Sequence, residues 1–258
     1  MKNIKLHIIA LGIVILAELI GKHTFDVGIG KIVLLPMLFA LIIGVLTTPK
    51  FLKISSEKEM HDAGSLISVT LMLLMAKYGT TIGPTISVII KSSPALILQE
   101  FGNLGTVLLG VPVGVMLGLN REVIGGAHSI AREPNIAVIS EKYGLDSEEG
   151  RGVLGVYIVG TVFGTILIGL LAGILATSTP LHPYALAMAS GVGSASMMTA
   201  SVGTLVELYP EMEELITAFG ASSNLLSGLD GVYMSVFLAI PLSEKLYAVM
   251  KGRKNKWN

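Results

Sequence analysis

The sequence predicts an all-α fold: a polytopic transmembrane helical bundle of about eight to ten membrane segments, some of them broken. Three observations predict it. Only 14% of the 258 residues are Asp, Glu, Lys or Arg, against about 25% in an ordinary soluble domain. Hydrophobic residues make up 52%, and mean hydropathy is +0.75. Apolar runs close to the roughly 20 residues needed to cross a bilayer recur along the chain. The 30 glycines suit closely packed membrane helices.

The first run, Leu6–Gly21, has a basic start (Lys2, Lys5) but no small-residue cleavage pattern, so it reads as a retained helix. Ile32–Thr48 is the second span. Lys50–Asp62 is a polar loop carrying Lys50, Lys53 and Lys58. Gly64–Ala76 runs apolar into Lys77, then "YGTTIGPT", then Ile86–Ile90. Lys91–Pro94 is a break, Ala95–Gln99 is short, and Phe101–Asn120 spans. Val123–Ser140 is half-polar, and Glu141–Arg151 is a soluble turn. Gly152–Val206 carries no formal charge, and "TSTPLHP" at 177–183 divides it into two spans. Leu215–Leu229 and Gly231–Leu242 close the hydrophobic part before a basic tail, "KGRKNKWN". The lysine bias puts the N-terminus, the 50–58 loop and the tail in the cytoplasm of a multi-pass plasma-membrane protein.

Three stretches are not simple spans. Gly79–Pro84, Gly125–Pro134 and Gly191–Gly203 concentrate Gly, Ser, Thr or Pro inside apolar runs. Unwound backbone at membrane depth is tolerated only where protein buries it or where it lines a cavity. Such pieces at corresponding places of two halves mark a carrier's binding site. The chain reads as one transmembrane domain, 1–258, with 1–120 and 121–250 as candidate inverted repeats. "MAKYGTTIGPTISV" followed by "QEFGNLG" parallels "MASGVGSASMMTASVG" followed by "AFGASSN". Chance likeness between glycine-rich helices explains that pairing equally well.

The strongest chemical signal is "AHSIAREPNIAV" at 127–138. Arg132 and Glu133 stand together at a point where Pro134 breaks the helix. Charge at membrane depth is costly and marks a pathway. The planar fork of Arg132 matches a carboxylate, Asn135 adds a donor and an acceptor, and Glu133 either neutralises Arg132 or takes a coupling proton. The competing reading is an interfacial arginine snorkelling to headgroups.

The hydroxyls Ser194, Ser196, Thr199 and Ser201, with Thr80 and Thr81 in the earlier stretch, are further candidates for holding substrate or sodium. Small-residue packing explains Gly191, Gly193 and Ala195 as well. Asn103 with Gln99 and Glu100, and Asn224 with Ser222, Ser223 and Asp230, either line the path or bridge helices. Lys77 is a second cationic anchor or an interfacial residue. His128 and Asp230 join Glu133 as candidate coupling-ion groups, and Glu18 reads as interfacial.

Several chemistries are excluded. Eighteen basic against eighteen acidic residues leave no nucleic-acid footprint. The absence of cysteine removes disulfides and thiolate sites. No GxxxxGK[ST] is present for ATP, and HExxH and the aspartyl GxGD pattern are also missing. The chain is therefore not expected to be an enzyme or to hold a cofactor or metal, beyond Na+ or H+ as a coupling ion.

From about residue 60 to 245, "LGLNREVIGGAHSIAREPNIAVIS", "GVLGVYIVGTVFGTILIGLLAGIL" and "HPYALAMASGVGSASMMTASVGTL" occur in an order that resembles the LrgB/CidB holin-like family. The chain departs from that family at two points. "AREPNIA" stands where the family has a lysine-serine-threonine site, and "GVGSASMMTA" lacks its histidine. As a whole, the chain also resembles an uncharacterised family of prokaryotic integral membrane proteins. The holin-like resemblance implies a carrier of small organic acids such as pyruvate, glycolate or glycerate, moving by an elevator-like or rocking motion. The expectation is an ion-coupled secondary carrier of a small carboxylate, working in the bilayer as a homo-oligomer, with a dimer expected. The alternative is a holin-like pore or lysis regulator, which needs no substrate pocket.

Overall fold

In an apolar medium the backbone must satisfy its own hydrogen bonds, and helices do so within one segment. This computed structural model describes residues 3–28, 30–128 and 133–254. It is helical almost throughout. Among the described residues four helical stretches are long and apolar enough to cross a bilayer: Met72–Lys91, Ser93–Met116, Glu148–Ser178 and Pro210–Gly252. Large side chains such as Leu109, Met116, Phe163 and Phe237 stand exposed on their outer faces. A molecule surrounded by water would bury such groups, so the all-α class is that of a membrane protein.

α1 (Ile4–Ile20) is apolar around its circumference, with only Ala17 buried. It is tied to the body at its first turn. Asn3 donates to Asp62 at 3.0 Å, and Lys5 pairs with Glu59 at 3.0 Å. α2 (Pro36–Leu46) packs on it. α3 (Glu57–Lys91) begins at a capping box. Ser56 Oγ accepts from the Glu59 amide, and the Ser56 amide donates to the Glu59 carboxylate at 2.7 Å. That amide and then Lys5 hold the Glu59 carboxyl below the usual carboxylate range. α4 (Ser93–Glu100) and α5 (Asn103–Met116) form one span with a tight turn at Phe101–Gly102. α6 (Glu122–Ala127) and α7 (Glu133–Tyr143) flank residues 129–132. α8 (Glu148–Val159), a π-helical turn at Gly160–Gly164 and α9 (Thr165–Ser178) make the third span. α10 (Pro183–Ser190) and α11 (Ala195–Leu208) are separated by a non-helical turn. α12 (Glu213–Met234), a second π-helical turn at Ser235–Ala239 and α13 (Ile240–Lys254) run on as one rod.

Four segment readings are corrected. Ile32–Thr48 is not a single span. Its start pairs as β2 (Lys31–Leu34) with β1 (His23–Asp26) in an antiparallel hairpin, and Pro36 at the first turn of α2 blocks backward extension of the helix. Gly28 and Gly30, both at positive φ, make the hairpin turn. Lys31 donates its amide to Thr177 at 2.9 Å, and Lys22 pairs with Glu207 at 2.7 Å, so the hairpin is strapped over α9 and α11.

Gly79–Pro84 is not unwound, because α3 continues straight through it. A proline inside a helix removes one hydrogen bond, but unwinding in hydrocarbon would orphan several groups. The Thr85 hydroxyl bonds the Thr81 carbonyl at 3.1 Å beside it. Phe101–Asn120 does not span alone, since its helix stops at Met116 and shares a span with Ser93–Glu100. Leu215–Leu229 and Gly231–Leu242 are one continuous helical rod, with Asp230 inside it. A single carboxylate is too small a signal to end a helix.

The closest helix crossing is between α6 and α8. A Cβ on Gly125 would lie 1.8 Å from the Glu149 carbonyl oxygen, and one on Gly152 would lie 1.9 Å from that of Glu122. Gly125→Ala and Gly152→Ala should each destabilise by about 1–3 kcal/mol through overpacking. A Cβ on Gly79 would meet nothing within 4 Å, so Gly79→Ala should be neutral or stabilise by up to about 1 kcal/mol. Thermal unfolding in detergent checks both. A destabilised Gly79→Ala would argue for irregular backbone in α3.

Candidate functional site

The turn between α10 and α11 is the one place where the expected broken helix is seen in full. It is built on a glycine pair. Gly191 packs so closely that an added Cβ would lie 2.3 Å from Ser223 Oγ on α12. Asn224, next along α12, donates its amide to the carbonyls of Gly191 and Gly193, each at 3.0 Å. Ser223 Oγ donates to the Met188 carbonyl at 2.7 Å. α12 thus adds side-chain donors to carbonyls at and just past the end of α10, where that of Met188 also accepts from the Gly191 amide at 3.1 Å.

On the other side of the turn, Ser194 caps α11 and accepts from the Met197 amide at 3.3 Å. A chain of hydroxyls follows. Ser194 and Ser196 are 2.9 Å apart, and Thr165 donates to Ser196 at 3.0 Å. One turn further, Thr199 donates to the Ala195 carbonyl at 2.7 Å and meets the Tyr78 hydroxyl at 2.8 Å. Tyr78 joins α3 to α11 and Thr81 and Thr199 line one cavity, so the Gly79–Pro84 and Gly191–Thr199 stretches do approach each other, although only 191–194 is non-helical.

Thr199 also borders a cavity of about 610 Å3 between α3, α11 and the start of α12. Lys77, Tyr78 and Thr81 line it from α3. Glu211, Glu213 and Glu214 line it from the entrance to α12. A separate cleft of about 920 Å3 between α5, α6 and α8 is lined mainly by glycine and apolar side chains, with Glu122 and Arg151, which pair at 3.3 Å, among its few polar groups.

The remaining candidates fall elsewhere. Arg132 lies outside the described residues, and for Glu133 only its place at the head of α7 is described. Asn135 is buried on α7. His128 caps α6, is buried, and bonds the Gly125 carbonyl at 2.8 Å through Nδ1. Asn103 donates to Glu100 at 2.8 Å, and Ser227 of α12 also donates to Glu100, at 2.5 Å. Asp230 follows Ser227 by three residues, and its Oδ1 is buried with no hydrogen-bond partner among the described residues. Thr80 turns back to the Lys77 carbonyl at 2.6 Å and is exposed. Glu18 is exposed near the end of α1.

Tyr78, Thr165 and the three glutamates do not stand out in the sequence. Tyr78 adjoins Lys77 and precedes Thr80 and Thr81, Thr165 lies in an apolar run, and only the fold gives their hydroxyls partners. The glutamates read as an ordinary loop.

Asn224→Leu should destabilise the protein by about 1–3 kcal/mol through the loss of its two hydrogen bonds to the turn. Asn224→Gln, which keeps the amide but lengthens the arm, should lose less. Thermal midpoints compared with wild type check this, and an Asn224→Leu variant as stable as wild type would show that the turn holds itself.

No curated protein and no solved structure matches the chain, and no finding links it to the holin-like family. A family model described as "Protein of unknown function (DUF3100)" matches residues 15–249, which is most of the sequence. The chain belongs to that family.

Proposed function

We propose that this protein is a secondary carrier of a small organic carboxylate, driven by a proton or sodium gradient. The observation that carries the reading is the broken pair α10–α11. Its backbone is braced by Asn224, and one turn into α11 Thr199 meets Tyr78 and lines a neighbouring polar cavity that also holds the Lys77 ammonium. Discontinuous helices beside polar cavities are usual features of secondary carriers. A pore would need no such brace. The resemblance to holin-like proteins regarded as organic-acid carriers points the same way. On this reading the carboxylate is held by Lys77 and the hydroxyls of Thr81 and Thr199. Arg132, which the sequence offers as an anion clamp, is a further candidate contact on the path, and Glu133, His128 or Asp230 is the candidate carrier of the coupling charge.

The test is uptake of labelled small carboxylates into proteoliposomes, with pH and sodium gradients imposed separately. Gradient-dependent accumulation is expected. Arg132→Lys should lower uptake roughly 10- to 100-fold, since a point charge does not replace a bidentate fork. Gradient-independent leak of all solutes would overturn the carrier reading, and wild-type uptake in Arg132→Lys would remove Arg132 from the site.

The lysine bias supports cytoplasmic termini and a cytoplasmic 50–58 loop. The chain has no cysteine, so a single Lys50→Cys, at an exposed position, should resist impermeant thiol reagents in intact cells and react after permeabilisation. Labelling in intact cells would reverse the orientation.

A further inference from the structure

The charge lining the Thr199 cavity does not suit a plain anion. Its charged side chains are one ammonium, Lys77, and three carboxylates, Glu211, Glu213 and Glu214, a formal balance of +1 − 3 = −2. Among the described residues no ion pair joins Lys77 to any of them. The two signs come from different elements. Lys77 is on α3, beside the hydroxyls of Tyr78, Thr81 and Thr199. The glutamates stand at the turn into α12. A monocarboxylate entering past three carboxylates is repelled, and a ligand that satisfies only Lys77 leaves the acidic wall unanswered.

We infer that the ligand of this cavity is a zwitterion: a small amino-carboxylate whose carboxylate lies toward Lys77, Thr81 and Thr199 and whose ammonium lies toward Glu211, Glu213 and Glu214. The inference rests on the carrier reading of the same cavity and narrows its substrate class. Both ends of such a ligand meet opposite charge, and the neutral whole crosses the acidic mouth without net repulsion. The volume of about 610 Å3 leaves room for a side chain beyond the amino-acid core. Glu213 and Glu214 also occupy the first turn of α12, where the helix dipole favours carboxylates. That structural role would not distinguish one ligand from another, and the experiment exploits this.

Purified full-length protein in nanodiscs is titrated calorimetrically with matched pairs differing only in ammonium against hydroxyl: L-alanine and L-lactate, L-leucine and its 2-hydroxy analogue, L-glutamate and 2-hydroxyglutarate. In at least one pair the amino acid should bind about tenfold tighter, the gain of one charge-assisted hydrogen bond. The preference should narrow at high salt, because the glutamates are exposed. Glu213→Gln with Glu214→Gln should bring the ratio toward one while leaving hydroxy-acid affinity unchanged or improved, and Lys77→Met should weaken both members. Thermal midpoints confirm that each variant is folded.

Equal or tighter binding of the hydroxy acid in every pair overturns the inference. So does a ratio unchanged in the glutamine variants, or no binding at all. Uptake is measured on the same pairs in proteoliposomes. Preferred binding of the amino acid without uptake removes the carrier reading and leaves the zwitterion site standing. Preferred uptake of hydroxy acids does the reverse.

Discussion

The amide of Asn224 holds the arrangement around the site together. A helix that stops leaves its last carbonyls without the amides of a continuing helix. Between α10 and α11 the carbonyls of Gly191 and Gly193 both find the Asn224 amide, and Ser223 takes that of Met188. A net hydrogen bond contributes only about 1 kcal/mol, but a stranded buried carbonyl costs about 1–3. The brace therefore acts less by adding stability than by removing the penalty of being irregular. It also depends on glycine. Any side chain at Gly191 would push α12 away from the groups it must reach.

The same reasoning explains what is legible in the sequence. Composition and apolar run length reveal the class, because a bilayer imposes both on every segment. Segment boundaries are poorly legible. Gly79–Pro84 and Gly191–Ser194 look alike as strings of small and polar residues. One is a continuous helix and the other a turn, and the difference lies in a partner far along the chain: the turn at 191–194 has Asn224 opposite it, 31 and 33 residues away in sequence for its two bonds. Leu215–Leu242 reads as two pieces at "SGLDG" because glycine and aspartate look like punctuation. In a long apolar helix those residues cost less than an interruption would. The hairpin at 23–34 is hidden because its β2 residues, Lys31–Leu34, continue into the apolar run of α2.

One end of the molecule is fastened differently. Where α6 and α8 cross on Gly125 and Gly152, the contact is backbone on backbone, and charge surrounds it. Arg121 pairs with the buried Glu149 at 2.5 Å and reaches Glu244 of α13 at 4.0 Å, while Tyr143 donates to Glu244 at 2.5 Å. A buried carboxylate left without its cation is expensive, so Arg121 and Glu149 hold α6 and α8 in one register. The "LNRE" motif preceding the "AREPN" stretch thus serves as a structural latch, and its charges are accounted for without a ligand.

α12 connects this packing to the site. Asn224 braces the α10–α11 turn, and Ser227, less than one turn further on, bonds Glu100 at the α4–α5 turn, where Asn103 bonds the same carboxylate. Ser223, Ser227 and Asp230 fall at i, i+4 and i+7 and so share one face of the helix. Two irregular stretches from distant parts of the chain are therefore held by neighbouring turns of a single rod. Neither can shift along the axis of α12 by a helical turn without exchanging its partners on it. A displacement of α12 must either carry both turns with it as one body or break the Asn224 and Ser227 bonds in the same step. The stretch carries its own replacements in the hydroxyls of Ser194, Ser196 and Thr165, but none of these is an amide that can span two carbonyls. Movement of the rod and both turns together is the arrangement that keeps the Asn224 and Ser227 bonds.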